Sequence, residues 1–228
     1  MINAILKNKV DRNYFKQNED SLTALIFEKL NYLPFEIFEY IIKKSVLGDL
    51  PNFDFSTIEE IIYWPHWKSE NTNNNNYVEP DLLIRLAKYD ILIEAKRYDS
   101  NQQYSSQWRN EIIAYNNEYG NNKELIFIAL GGINSYKNEQ LLINNNKIII
   151  YKCKWISILK NTELIKDKLE LSSSFFKPIP PTINILNDLI IVFRLYGYSS
   201  SFWFEKFNYE QGITETSLKS LINNKLHE

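Results

Sequence analysis

Cysteine and histidine are nearly missing from this chain. A single cysteine, Cys153, among 228 residues excludes an intramolecular disulfide framework and any zinc site built on several thiolates. Two histidines, His66 and His227, do not suffice for a His-rich metal centre. A bound metal therefore has to rest on oxygen, which points to magnesium, calcium or manganese. Glycine and proline are scarce, at 6 and 7 residues, which excludes collagen-like and linker-rich architectures. No apolar run approaches the roughly 20 residues of a membrane span. The stretch 1–10 alternates apolar residues with lysine and has no signal-peptide core. The expectation is a soluble, cytoplasmic protein with no membrane partner. An excess of positive charge is also lacking: 26 Lys+Arg stand against 28 Asp+Glu, a net charge of −2. A protein that grips nucleic acid by bulk electrostatics is basic. A polyanionic partner would have to meet positive charge held locally or supplied by another subunit.

What is present suffices for one good core and a small appendage, with 44% of residues hydrophobic. Helical spacing of Leu22, Leu25, Ile26, Leu30 and Leu33 predicts a helix over 18–33, capped by Asn18 with Glu19 and Asp20 in its first turn. Pro34 ends it and opens a second helix to about Gly48. A strand is expected over 57–64, followed by a polar loop to Asn76, where asparagines cluster as loop signals. Runs at 81–86 and 90–96 read as a tight hairpin about Lys88-Tyr89. A helix over 103–119, strands at 125–130 and 147–153, and a helix over 155–169 follow. The Ser- and Pro-rich stretch 172–181 divides a core, 1–171, from an extension, 172–228, expected to pack on it. That extension holds a helical run at 182–197, an aromatic patch at Phe202, Trp203 and Phe204, and a short final helix. The expected class is α/β, a mixed sheet with helices on both faces and a mainly helical C-terminal extension.

The chemistry lies across the hairpin. Pro80-Asp81 on one arm faces Glu94-Ala95-Lys96 on the other, and strand alternation points Glu94 and Lys96 the same way. A two-residue turn sets Asp81 opposite Lys96, and a longer turn moves the pairing by one or two residues. Two carboxylates close together in an apolar sheet repel each other, and burial raises that cost. A divalent cation removes the penalty, and magnesium typically takes one or two carboxylates plus waters and phosphate oxygens. A lysine alongside can steady or deprotonate a water, or hold a phosphate as a point charge. This is equipment for metal-assisted phosphodiester hydrolysis.

These residues resemble the PD-(D/E)XK nuclease superfamily, which includes type II restriction enzymes, archaeal Holliday-junction resolvases and RecB-type nucleases. The order helix-acid, strand-Asp, strand-Glu-x-Lys, helix-Gln, strand, strand follows that family's core from about residue 15 to 160. The resemblance implies a restriction-endonuclease-like fold and a Mg²⁺-dependent DNA nuclease, with Mn²⁺ able to substitute, leaving 5′-phosphate and 3′-hydroxyl ends. It makes Asp81 and Glu94 metal ligands, adds the Ala95 carbonyl and Glu19 to that set, and makes Lys96 the catalytic lysine. It also places a glutamine on the following helix, Gln107 in preference to Gln103. By their position near the proposed site, and not by the resemblance, Lys88, Arg97 and Arg109 are candidate contacts to the DNA backbone. The small size implies that a dimer or a partner protein supplies specificity, in DNA processing or anti-phage defence. On this reading Lys96→Ala abolishes cleavage and leaves folding nearly unchanged.

Other readings stand beside it. Asp81, Glu94 and Lys96 also suit a salt-bridge cluster on a solvated sheet, worth about 0–1 kcal/mol. Glu19 suits a helix-dipole role, and Glu79 can replace it as the extra ligand. Gln103, Gln107 and Glu111 suit a wet helix face, while Tyr115 and His66 suit packing. Cys153 has no dyad partner, and Gly131-Gly132 lacks phosphate-loop spacing. The lysines at 147, 152, 154, 160, 166 and 168 suit a solvated helix. A catalytically silent nuclease-fold module and an RNA-directed nuclease are the alternative functions.

Overall fold

Asn18 sets the first helix through its own side chain. It accepts the Ser21 N–H at 3.0 Å while the Ser21 hydroxyl accepts the Asn18 N–H at 3.1 Å, a reciprocal cap. The computed structural model of the chain describes residues 16–98, 102–120, 122–135, 137–172 and 181–200, with residues 7 and 9. Helix α1 (Glu19–Asn31) buries Leu22, Ile26, Phe27 and Leu30. Pro34 caps α2 (Phe35–Ser45), which buries Phe38, Ile41 and Ile42. Strands β1 (Ile58–Tyr63), β4 (Leu82–Leu86), β5 (Tyr89–Ala95), β6 (Glu124–Leu130), β7 (Glu139–Ile143) and β8 (Asn146–Cys153) form one sheet in the order β1-β4-β5-β6-β8-β7. β1, β4 and β5 pair antiparallel; β5–β6 and β6–β8 pair parallel; β7 returns antiparallel on β8. The fold is thus mixed α/β with helices on both faces.

Each face has its own core. Helix α3 (Ser105–Tyr119) crosses from β5 to β6 and lays Trp108, Ile112 and Tyr115 over Leu83, Leu92, Phe127 and Ala129. Helices α1, α2, α4 (Trp155–Ser172) and α5 (Pro181–Leu195) cover Leu82, Ile84, Ile91, Ile93 and Ala95 on the other face. Alternation along β4 and β5 therefore puts Asp81 and Glu94 under α3, with Leu83 and Leu92 as near neighbours.

The hairpin register differs from the two-residue turn. Arg85 pairs with Asp90 and Leu82 with Ile93, which by extension sets Asp81 opposite Glu94, not Lys96. The cause is that Leu86 and Tyr89 pair outward, Leu86 with Ile58 and Tyr89 with Glu124, so four residues span the turn. Two elements go beyond the sequence expectation. A small ribbon of β2 (Trp67–Lys68) and β3 (Tyr77–Val78) occupies the polar loop, and β7 forms the outer edge. The turn into β8 uses Asn144 and Asn145, both left-handed with φ of 49° and 65°. An asparagine tolerates that conformation, which twists the hairpin correctly.

The chain divides into two units, 1–198 and 199–228, and helix α5 belongs to the first, where it packs on α1 and α4. The aromatic patch at 202–204 and the final helix lie outside the described residues. Among the described residues no helix is long and apolar enough to cross a membrane.

Candidate functional site

At the end of the β4–β5 pair, side chains from three elements converge on Glu94. Asp81 Oδ2 accepts the Ala95 N–H at 2.7 Å, which ties one arm to the other. Glu94, 2% exposed, accepts the Gln107 amide at 2.6 Å and the Lys96 ammonium, both on Oε1. The same ammonium donates to the Ala95 carbonyl at 3.0 Å and to Glu19 Oε1 at 3.1 Å. Glu19 Oε2 accepts the Arg97 N–H at 2.9 Å, so α1 is docked on the end of β5 by both oxygens of one carboxylate. Asp81, Glu94, Ala95, Lys96, Glu19 and Gln107 are all brought together. A solvated salt-bridge cluster does not describe them, since Asp81 is 7% and Glu94 2% exposed.

The backbone beneath is held by its own set. Lys96 N–H donates to Leu130 O at 2.7 Å, and the Trp155 indole donates to Lys96 O at 2.8 Å. Gln103 donates to the Glu94 carbonyl at 2.9 Å and accepts the Trp108 indole N–H at 2.6 Å. The two glutamines divide the work: Gln103 fixes the strand and Gln107 fixes the carboxylate.

The three proposed backbone contacts fare differently. Lys88 lies in the hairpin turn, at the opposite end of the strands from Asp81 and Glu94, and is thereby removed from the site. Arg97 is beside it, but its guanidinium donates to the Gln17 carbonyl and packs on Tyr98 and Tyr196, 5.2 and 5.7 Å from their centroids. Arg109 points away to β7, donating to the Leu142 carbonyl at 3.1 Å. Glu79 is exposed and Glu19, not Glu79, meets Lys96. His66 stacks on Tyr77 at 3.8 Å, a packing role. Lys152, Lys166 and Lys168 turn to Glu139, Glu170 and the Tyr40 ring.

Charge is tightly confined here. Burial pushes the Asp81 carboxyl well above the usual carboxylate range, and the Glu94 charge adds to it, against the Ala95 N–H. Burial also pushes Glu94 up, more than Lys96 draws it down. For Lys96 burial favours the neutral amine, but Glu94, Glu19 and Asp81 outweigh it, so the ammonium is held charged. It rests on three of the oxygen donors expected to hold a metal, those of Glu94, Ala95 and Glu19. Among the described residues no three His, Cys, Asp or Glu side chains form a ready cage for an ion.

No family model matches the chain. An uncharacterized protein of Pasteurella multocida (strain Pm70), PM0110, is 32% identical to it over 199 residues, covering 81% of this chain and 72% of that protein. The chain belongs to the same family as PM0110.

In this member of the PM0110 family, two further acids, one on α3 and one on β5, are buried between that helix and the sheet. Glu111, one helical turn after Gln107, is 1% exposed instead of lying on a wet face. Burial, then the Glu94 charge, pushes its carboxyl well above the usual range. Asp90, wholly buried near the far end of β5, is met by the Tyr115 hydroxyl at 2.9 Å, Arg85 at 3.4 Å and Lys123 at 3.6 Å. The spacing 103-107-111-115 on α3 was the available signal for Glu111 and for the Tyr115 bond.

Glu111 yields a pH-dependent prediction. Its folded pKa lies above the unfolded value of about 4.3, so the folded chain binds the proton more tightly and loses stability as pH rises. Glu111→Gln removes that loss while keeping a donor for Glu94. The variant is expected to melt about 2–4 °C higher near pH 8, some 1 kcal/mol, with the gain vanishing by about pH 4. Melting curves across that range check it; a gain that does not shrink in acid contradicts it.

Proposed function

We propose that this protein is a Mg²⁺-dependent nuclease that hydrolyses phosphodiester bonds of DNA. The observation that carries the reading is the convergence of Glu94, the Ala95 carbonyl and Glu19 on one ammonium, with Asp81 anchored to the same strand. All four donors are hard oxygens, and two are buried carboxylates that resist ionisation; a dication relieves both costs. Asp81, Glu94 and the Ala95 carbonyl would hold the ion, with Glu19 reached through water. When bound, such an ion polarises a phosphoryl oxygen and acidifies a water. Gln107 keeps Glu94 oriented, and Trp155 keeps the Lys96 backbone in place. Lys96, held as an ammonium, serves as an orienting donor and point charge for a phosphate oxygen more readily than as a base. A second copy or a partner protein would supply specificity.

Digestion of plasmid and oligonucleotides with Mg²⁺, Mn²⁺ or EDTA tests this. DNA is expected to be cut with either ion and spared in EDTA; intact DNA under all three conditions overturns the reading. The neutralisation of the acids by Lys96 within the chain favours one rival, a catalytically silent nuclease-fold module, which gains from that negative result. RNA substrates in the same assay separate an RNA-directed enzyme.

Metal binding has its own readout. An ion at a hundred times its Kd stabilises a fold by about 2.7 kcal/mol, which is roughly 5–10 °C at this size. Mn²⁺ is expected to raise the melting temperature of the wild type by this order, and Asp81→Asn to lose most of the rise. An equal shift in both proteins removes Asp81 from the ligand set.

A further inference from the structure

We propose that a pocket beside the acid cluster receives the base of an unpaired nucleotide, which makes single-stranded DNA, or a frayed end, the preferred substrate. This rests on the nuclease reading and narrows it. The pocket, about 340 Å³, lies between the asparagine-rich turn joining β2 to β3 and the first turns of α3. That volume falls within the roughly 300–1,000 Å³ of small-molecule sites. Its lining is neutral and hydrogen-bonding or apolar at Asn74, Val78, Ser106, Gln107 and Asn110 and acidic at Glu79 and Glu111, and no described lining residue is Lys or Arg. Such walls suit a flat, uncharged, hydrogen-bonding group and offer nothing to a phosphate.

A further observation points to that occupant. Glu111 also lines the pocket, and its buried carboxyl shares a hydrogen bond with Glu94, which ties the pocket wall to the acid cluster. At the mouth stands Tyr104, a residue 63% exposed at the N-cap of α3, where it makes no capping bond. Exposed aromatic rings are the platforms on which unpaired bases stack. Tyr98, 58% exposed, stands two residues beyond Lys96. Gln107 joins the two sites, since it lines the pocket and donates to Glu94.

The local cations argue the same way. Lys96 is engaged by carboxylates, Arg97 by the Gln17 carbonyl and Arg109 by the Leu142 carbonyl. A duplex held through its phosphates finds little charge to grip here, whereas a single strand brings stacking that needs none.

Fluorescence anisotropy of the full chain in EDTA, with a short single strand and with the blunt duplex of the same sequence, tests the proposal. The single strand is expected to bind at least about tenfold tighter. Tyr104→Ala is expected to weaken it by about five- to a hundredfold, the effect of one lost stack, and to weaken the duplex less. Ser106→Phe, which fills the pocket, is expected to act likewise at an unchanged melting temperature. Equal affinity for strand and duplex, no single-strand binding, or indifference to both substitutions overturns the proposal. Digestion in Mn²⁺ separates the two readings. Tyr104-dependent binding without cleavage keeps the pocket and removes the nuclease; cleavage without single-strand preference does the reverse.

Discussion

Lys96→Ala is expected to abolish metal-dependent cleavage and to destabilise the fold at neutral pH by about 3 kcal/mol, roughly 6–12 °C in melting temperature. The loss of cleavage, at least about a hundredfold, follows from removing the ammonium beside the proposed ion site. The loss of stability follows from the contacts. The ammonium meets Glu94, Glu19 and the Ala95 carbonyl, and without it Glu94 is a buried charge with no counter-ion. The pH dependence has a fixed sign. The Lys96 pKa is raised, so its contribution is complete below the unfolded value of about 10.4. The carboxyls of Asp81 and Glu94 are raised as well, so the variant regains stability as pH falls and they take up protons. Melting curves from about pH 5 to 9 are expected to diverge from wild type toward the alkaline end. Lys96→Arg keeps a charge without the compact ammonium, and is expected to restore folding more than cleavage. A Lys96→Ala protein as stable as wild type at every pH would show that the cluster needs no internal cation. The expectation from sequence, folding nearly unchanged, is replaced here because a lysine in an acid-x-Lys strand motif need not be solvated.

Gly131→Ala is the second large effect. Gly131 follows β6 with φ of 67°, and a Cβ there would lie 2.1 Å from the Lys96 carbonyl and 2.9 Å from the Trp155 indole nitrogen. Backbone conformation alone costs an alanine about 1–2 kcal/mol. The clash is with main chain, so strand β5 must also move, and a total above about 3 kcal/mol is expected. Displacing the Lys96 carbonyl breaks its bond from Trp155, and a displacement of about 1 Å near reacting groups can cost a hundredfold in rate. Gly197 is the control. It also has positive φ, 87°, but a methyl added there would meet nothing within 4 Å, so Gly197→Ala is expected to cost only the conformational part. Denaturant unfolding of both variants checks the difference; equal losses would remove steric approach as the reason for glycine at 131.

Much of this site is legible from strand alternation and helical spacing. Pro80-Asp81 and Glu94-Ala95-Lys96 announce themselves by charge in an apolar hairpin, and Asn18 with Glu19 announces the helix start. Register is less legible, because the length of the turn depends on Leu86 and Tyr89 pairing with strands on either side of the hairpin. The β7–β8 hairpin is signalled by Asn144-Asn145, but loop composition alone does not reveal that both residues turn left-handed. Glu111 escapes for another reason. Spacing places it on the face of Gln107, but whether that face is wet depends on the sheet beneath it, and a polar helical stripe looks the same above water and above a buried carboxylate. Gly131-Gly132 has no phosphate-loop spacing, yet it makes close approach to Lys96 possible, a demand invisible until the chain is folded.

The contact between Glu19 and Lys96 spans 77 positions, and the indole that steadies Lys96 comes from residue 155. Strand β5 also waits for a parallel neighbour delivered across α3. Contacts so distant along the chain are slow to form, because long loops must close before anything rewards them. During synthesis the acids therefore emerge well before the indole that steadies their strand. No contiguous fragment that stops short of residue 155 contains the whole constellation, which ties its appearance to a late stage of translation.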